Sequence, residues 1–495
     1  MARAATPHRQ PLFSRLPGQA GLDPVALIRA LALENRAPLV LLDSAGGSKQ
    51  LAKRHYLAWD PVFRLRVRGG TVTVLPGEAC QRSDVARELA DRARRLTHLS
   101  PFAALREATQ LARLRDDVAS RAGVPECEAL FGLISYDAVR HLETLPDSTV
   151  DDLGLPDIDV FLPGRLLRYD VVSGESCLID RVSHHDAAAS QERARIHAAI
   201  ARSRGMRVAQ VHGNDMPSYR SNFTRDAYER AVLRAREYTF AGDIFQANLS
   251  QRLDLYYTLP SLQLYSTLRT VNPSPFSGYL NLGEYELISS SPERLVSLAA
   301  DGWAETRPIA GTRPRGARRP EDSQLAAELN LDPKDRAEHV MLVDLERNDL
   351  GRVCAYGTVE VSELMVNEYY SHVIHIVSNV RGRLHESRDA IHLAAAMFPG
   401  GTITGCPKVR CMQIIDELES VRRGPYTGSF GWIAHRALDL NIVIRTLVRV
   451  GDRLYLQVGG GVVADSVPTQ EYTETLHKAA GMLRAVSASI AERAG

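Results

Sequence analysis

Lysine is nearly absent from this chain. Among 495 residues only Lys49, Lys53, Lys334, Lys408 and Lys478 carry an ammonium, so arginine supplies almost all of the positive charge. Lys+Arg total 60 against 59 for Asp+Glu, and this near-neutral balance argues against nucleic acid or a membrane surface as a partner. The six cysteines follow neither metal-ligand spacing nor a paired framework, which fits a reducing compartment better than a disulfide-stapled domain. No apolar run approaches the ~20 residues of a membrane span. The start, Met1-Ala-Arg-Ala-Ala-Thr-Pro-His8, lacks a signal-type apolar core, so the expectation is a soluble cytoplasmic protein. No internal repeat is visible.

What is present is concentrated in the second half. Asp332-Pro-Lys-Asp335-Arg-Ala-Glu338-His339 and Pro468-Thr-Gln-Glu471-Tyr-Thr-Glu474-Thr-Leu-His-Lys478 each place a proline at an expected helix start, followed by carboxylates at i and i+3 on one face. Either cluster alone reads as a solvated acidic face. Four carboxylates brought together repel unless a cation sits among them, and oxygen-only ligands suit Mg²⁺, which keeps several waters. Gly-rich segments accompany the acids: Pro308-Ile-Ala-Gly311-Thr312-Arg313, Phe398-Pro-Gly-Gly-Thr-Ile-Thr404-Gly405-Cys-Pro-Lys408, Gly424-Pro-Tyr426-Thr-Gly428 and Gly459-Gly460-Gly461. Glycine at this density lets backbone N–H groups approach an anionic ligand. Lys408 follows Gly400-x4-Gly405, but Cys406 stands where a phosphate loop needs its lysine, which argues against nucleotide binding.

Periodicity gives a coarse organisation. Residues 38–43 read as a buried strand, 62–74 as a hairpin about Gly69-Gly70, 83–120 as helical, and 129–135, 165–172 and 174–181 as strands. The polar stretch 202–221 reads as a linker between an N-terminal region, 15–205, and a second region, 221–490. Helices are expected at 225–241, 333–349, 387–397, 407–418 and 468–492, with strands through 298 and over 427–464. Mixed, largely antiparallel strands with helices outside make this an α+β protein.

Segment by segment from about Ser221 to Leu483, these motifs resemble the chorismate-binding enzymes: anthranilate synthase component I, aminodeoxychorismate synthase component I, isochorismate synthase and salicylate synthase. The resemblance implies a two-sheet, largely antiparallel β-sandwich with helices packed outside, to which both regions contribute strands. It also implies roles. Glu338 and Glu474 match direct Mg²⁺ ligands, with Asp335 and Glu471 holding metal-bound waters. Glu293, in Ser290-Ser-Pro-Glu293, matches the general acid for the C4 hydroxyl. Arg445 and Tyr426 match the grip on the enolpyruvyl carboxylate, shared by the N–H groups of Gly459, Gly460 and Gly461. Gly311 and Thr312 match ring-lining residues and His375 an active-site histidine. A buried structural histidine or an exposed turn glutamate would read the same from residues alone. Lys478, four residues after Glu474, is either substrate-binding or simply its ion-pair partner.

The nucleophile separates the reactions. Where isochorismate and salicylate synthases carry a water-activating lysine, this chain has Gln246, whose amide does not titrate; ammonia is therefore favoured over water. No cysteine sits in the Gly-x-Cys-x-Gly elbow of a glutamine amidotransferase, so a separate glutaminase subunit is expected to deliver ammonia. Ala310 replaces the covalent lysine of many aminodeoxychorismate synthases, which points to anthranilate synthase. Phe245-Gln-Ala-Asn248, Asn272-Pro-Ser-Pro-Phe-Ser-Gly278 and Leu440-Asn-Ile-Val-Ile-Arg445-Thr point instead to aminodeoxychorismate synthase. Leu41-Leu-Asp43-Ser-Ala45 resembles the family's tryptophan-pocket motif, with aspartate for the customary glutamate. The first choice is amination of chorismate to 4-amino-4-deoxychorismate, on the folate route to p-aminobenzoate. Anthranilate formation is the alternative, and a non-catalytic regulatory homologue is the alternative from another class.

Overall fold

The structure, a computed structural model, describes residues 12–16, 21–47, 51, 53–114, 124–182, 187–203, 216–315, 319–369 and 373–494. Most of the expected linker, 204–215, lies outside the described residues. Every strand ladder among them is antiparallel, and one chain of pairings joins the two regions. The N-terminal strand Leu39–Asp43 pairs with Phe276–Asn281, and Leu130–Ile134 pairs with Ser429–Ile433. The long strands Arg54–Arg68 and Ile158–Asp170 run together through a register break at Pro61/Phe63, which lets one ladder turn between two layers. The space between the layers is filled from both regions: Val40, Tyr56, Phe131, Phe161, Leu280, Phe430 and Trp432 form one buried cluster. At Gly278 a Cβ would fall 2.7 Å from the Phe430 ring, so glycine there lets the facing strands close. The described architecture is α+β with antiparallel sheet and helices outside, as the sequence pattern predicts.

Two helices carry the acidic clusters, and both begin at the expected proline: Pro333–Gly351 and Pro468–Ala494. Asp332 caps the first, its Oδ1 accepting from Asp335 N at 3.1 Å. The second buries Ala479, Met482, Leu483 and Val486 against Leu454, Leu456 and Val458 of strand Arg453–Val462. Each large apolar side chain buried there contributes roughly 1.5–3 kcal/mol. That strand pairs with Gln246–Tyr256 in the register Gly459↔Ser250, Gly460↔Leu249, Gly461↔Asn248. Strand, strand and helix thus fix the three glycines, Gln246 and the second acidic cluster relative to one another.

Two expectations need correction. The stretch read as strands through 298 contains helix Ser261–Val271, whose Leu262, Tyr265 and Leu268 recur at i+3 and are buried. The helical stretch 83–120 is broken, with Asp84–Ala93 and Pro101–Leu111 as separate helices. Pro101 has no N–H to continue a helix and so starts a new one.

Candidate active site

The three-glycine strand is where the predicted groups meet. A Cβ at Gly461 would lie 1.9 Å from Gln246 Nε2. At Gly460 it would lie 3.4 Å from Glu471 Oε2 and 3.6 Å from Glu474 Oε1. At Gly459 it would lie 2.9 Å from the Tyr426 hydroxyl. At Gly459 and Gly461 a side chain would displace these groups, so glycine is required by space there, whereas at Gly460 a Cβ would only touch the two carboxylates. Gln246 Nε2 in turn donates to Glu338 Oε1 at 3.0 Å, which brings the first acidic helix to the same segment. Lys478 Nζ is 2.8 Å from Glu474 Oε1 and donates to Gly459 O at 3.0 Å, so it is the ion-pair partner of Glu474 and also tethers the glycine strand.

Glu293 sits between strands Glu286–Ser291 and Arg294–Leu298, where its own backbone is pinned: Ile442 N donates to Glu293 O at 3.0 Å. Its carboxyl is buried and Oε1 accepts from Thr402 Oγ1 at 2.8 Å. Burial raises its pKa to about 7, against smaller lowering effects of the Thr402 hydroxyl and the Lys478 charge. A carboxyl in that range carries a proton it can give away near neutrality.

Arg445 adopts a left-handed backbone conformation, φ 50, unfavourable for a non-glycine residue. Among the described residues no carboxylate forms an ion pair with its guanidinium. Burial draws its pKa below the ordinary arginine value, opposed by Tyr426 and Glu474. A half-buried guanidinium with no carboxylate ion pair among the described residues, beside the buried Tyr426, is suited to a ligand carboxylate. His375 Nδ1 lies 3.4 Å from the Gly311 carbonyl, and burial lowers its pKa to about 4. The ring is therefore neutral, with its proton on Nδ1 toward the carbonyl. Gly311 has φ 71, and a Cβ there would meet Asp335 Cγ at 3.3 Å. Thr312 enters through its backbone, paired with His375.

The residues around the glycine strand fit a hard divalent cation. The donors are all carboxylate oxygens, and Gly460 leaves open the space a Cβ would fill between Glu471 and Glu474. Three of the four acids have separate partners here: Asp335 with Arg313 at 3.0 Å, Glu338 with Gln246, Glu474 with Lys478. Among the described residues no three His, Cys, Asp or Glu side chains come together as a closed ligand set. Mg²⁺ needs no such set, since it takes one or two carboxylates and fills its octahedron with water.

Sequence reasoning passed over Thr402, Arg313 and Glu346. Thr402 stood inside a quoted segment, and its signal was there: it is the one side-chain hydroxyl in Pro399-Gly400-Gly401-Thr402. Lys408, lying 2.5 Å from Asp349 Oδ2, is a structural ion pair. Asp43 is held by Tyr265 OH at 2.7 Å, Arg269 Nε at 2.8 Å and His55 Nδ1 at 2.9 Å. No described helix is long and apolar enough to cross a membrane.

Comparison with known proteins bears on the family and the fold. The chain is 46% identical over 365 residues to aminodeoxychorismate synthase component 1 of Bacillus subtilis, covering 72% of this chain and 77% of that protein. It is equally 46% identical, over 359 residues, to anthranilate synthase component 1 of Thermus thermophilus, covering 72% and 76%. Among solved structures, anthranilate synthase component I from Streptococcus pneumoniae superposes with a TM-score of 0.73 at 29% identity, covering 88% of this chain and 92% of that one. The menaquinone-specific isochorismate synthase of Escherichia coli shares the fold, with a TM-score of 0.66 at 18% identity over 97% and 96%. The family described as chorismate binding enzyme matches residues 50–484, and this chain belongs to it.

Proposed function

We propose that this enzyme aminates chorismate at C4 with ammonia, giving 4-amino-4-deoxychorismate, and that a separate glutamine amidotransferase subunit supplies the ammonia. Glu293 carries the reading. A buried carboxyl whose one side-chain hydrogen-bond donor among the described residues is a hydroxyl holds its proton near neutrality and delivers it to the leaving C4 hydroxyl, which departs as water. Arg445 and Tyr426 grip the enolpyruvyl carboxylate, helped by backbone N–H groups of Gly459–461. His375, neutral because burial lowers its pKa, lines the site beside Gly311. Gln246 does not remove a proton, so ammonia enters already nucleophilic, and the proton it sheds on forming the C–N bond restores Glu293. Glu338 and Glu474 would hold Mg²⁺, with Asp335 and Glu471 acting through water. When bound, the ion supplies positive charge against the ring carboxylate.

A second reading has its own observation. Ala310, where the covalent lysine of many C4-aminating relatives would stand, is buried in strand Ile309–Pro314, so no amine is available beside C2. That favours ammonia entering at C2 and anthranilate as product. The experiment is incubation with chorismate, an ammonium salt and Mg²⁺ and mass analysis of the product. Aminodeoxychorismate, converted to p-aminobenzoate by added lyase, supports the first reading. Anthranilate as the main product overturns it.

A further inference from the structure

Behind Glu293 lies a second buried acid that no step above uses. Glu346, on helix Pro333–Gly351, is 3% exposed, and its Oε2 has no hydrogen-bond partner among the described residues. Its Oε1 would stand 3.5 Å from a Cβ at Gly401, while the next residue, Thr402, donates to Glu293 Oε1 at 2.8 Å. The two carboxyls therefore flank the Gly401–Thr402 turn.

Among the described residues no cation forms an ion pair with Glu346. Lys408, from helix Lys408–Leu418, lies 2.5 Å from Asp349 Oδ2 and donates to Met397 O at 3.2 Å, so its charge is committed. Thr306, on the neighbouring strand, spends its hydroxyl proton on Leu295 O at 2.8 Å and turns only lone pairs toward other groups. Burial first, then the Asp349 and Glu293 charges, raise the Glu346 pKa to about 8, while Lys408 and the Thr306 hydroxyl oppose them.

We propose that Glu346 is a positioning residue for the proton of Glu293: the two buried carboxyls across the Gly401–Thr402 turn oppose each other's ionisation, so a fraction of Glu293 stays protonated under alkaline conditions. The proposal rests on Glu293 acting as the acid. It resolves a conflict in that chemistry, because ammonia must be un-ionised while its acid partner is still protonated. When the pair loses its first proton the charge is shared between two sites, and the second loss is delayed by repulsion. Glu293 alone would deprotonate in one step and leave little acid where free ammonia is plentiful.

The test is Glu346→Gln, with Glu346→Met as a second variant should the amide disturb packing. The ratio of kcat/KM, expressed per un-ionised ammonia, at about pH 8.5 to that at about pH 6.5 should fall about fivefold in either variant. The carboxylic C=O stretch of Glu293, assigned by its loss in Glu293→Gln, should titrate over a broad range in the native enzyme and as a single ionisation in Glu346→Gln. An unchanged ratio with an unchanged infrared titration overturns the proposal. So does an activity loss uniform across pH, which marks a purely structural role. If the enzyme fails to turn chorismate over at all, the functional reading fails, while the infrared titration still decides whether the two carboxyls are coupled.

Discussion

Gln246 reaches from its strand to donate its amide to Glu338 at 3.0 Å, and it does so through space that only Gly461 leaves open. The carboxamide stands where water-activating relatives place a lysine and here serves as a fixed dipole on an expected metal-ligand carboxylate. Gly461→Ala puts a methyl 1.9 Å from Gln246 Nε2 and must displace the amide from Glu338. We expect kcat/KM to fall at least ~10-fold, equivalent to about 1.4 kcal/mol of barrier, with near-native circular dichroism. Full activity would show that the Gln246–Glu338 contact does not matter to turnover.

Glu293 should exchange stability for chemistry. Its carboxyl binds a proton more tightly folded than unfolded, so its contribution is favourable at low pH and is lost as pH rises from 4.5 through about 7. That rise corresponds to roughly 3 kcal/mol for the buried group. Glu293→Gln should be inactive yet melt higher than the native enzyme at pH 8, with the difference shrinking toward pH 5. Equal melting at both pH values would mean the carboxyl is not desolvated as the geometry implies.

Glu338→Gln and Glu474→Gln each remove a formal charge from the expected cation site. Each should abolish turnover, and excess Mg²⁺ should recover little of it. Isothermal titration with Mg²⁺ in the presence of chorismate should show weakened binding in both. Near-native turnover in either variant would reassign the ligands.

Ammonia delivery separates the chain from its expected partner. With ammonium salts the isolated chain should work alone, and faster at higher pH as un-ionised ammonia accumulates. With glutamine it should be silent until a glutaminase subunit is added. Glutamine-dependent turnover by the purified chain would remove the need for the partner.

What could be read from the chain follows from the range of the interactions. The helices Pro333–Gly351 and Pro468–Ala494 were legible because a proline start and acids at i and i+3 are local signals. Helix Ser261–Val271 was not, because Leu, Tyr and Thr at high density suit a buried strand equally well and only packing decides. Glu293 was legible through its motif, but its hydroxyl partner Thr402 is 109 positions away and no periodicity links them. Glu346 lay on a helix whose charged residues look like an exposed face, and only the fold shows it buried against Gly401. Likewise, that Lys478 pairs with Glu474 follows from i,i+4 spacing, whereas its bond to Gly459 O required the sheet.

Ala310 separates the two aminations. It is buried and paired with Ile376, next to a register break before Thr312. If the product is aminodeoxychorismate, nitrogen reaches C4 without a covalent lysine, and Ala310→Lys restores the option of one. Its amine would attack C2 as the ring double bond shifts and the C4 hydroxyl leaves as water with the proton of Glu293. Ammonia would then form the C4–N bond, shift the double bond back and release the lysine nitrogen. The desolvated position lowers the lysine pKa toward the neutral range and favours the free amine. The variant should stay active and carry, during turnover, a mass increase of chorismate less water without borohydride trapping. If the native product is anthranilate, a lysine at this position obstructs ammonia at C2 and anthranilate formation should drop at least ~10-fold. An active Ala310→Lys variant that forms aminodeoxychorismate with no adduct at any stage would show that the side chain at this position does not face C2.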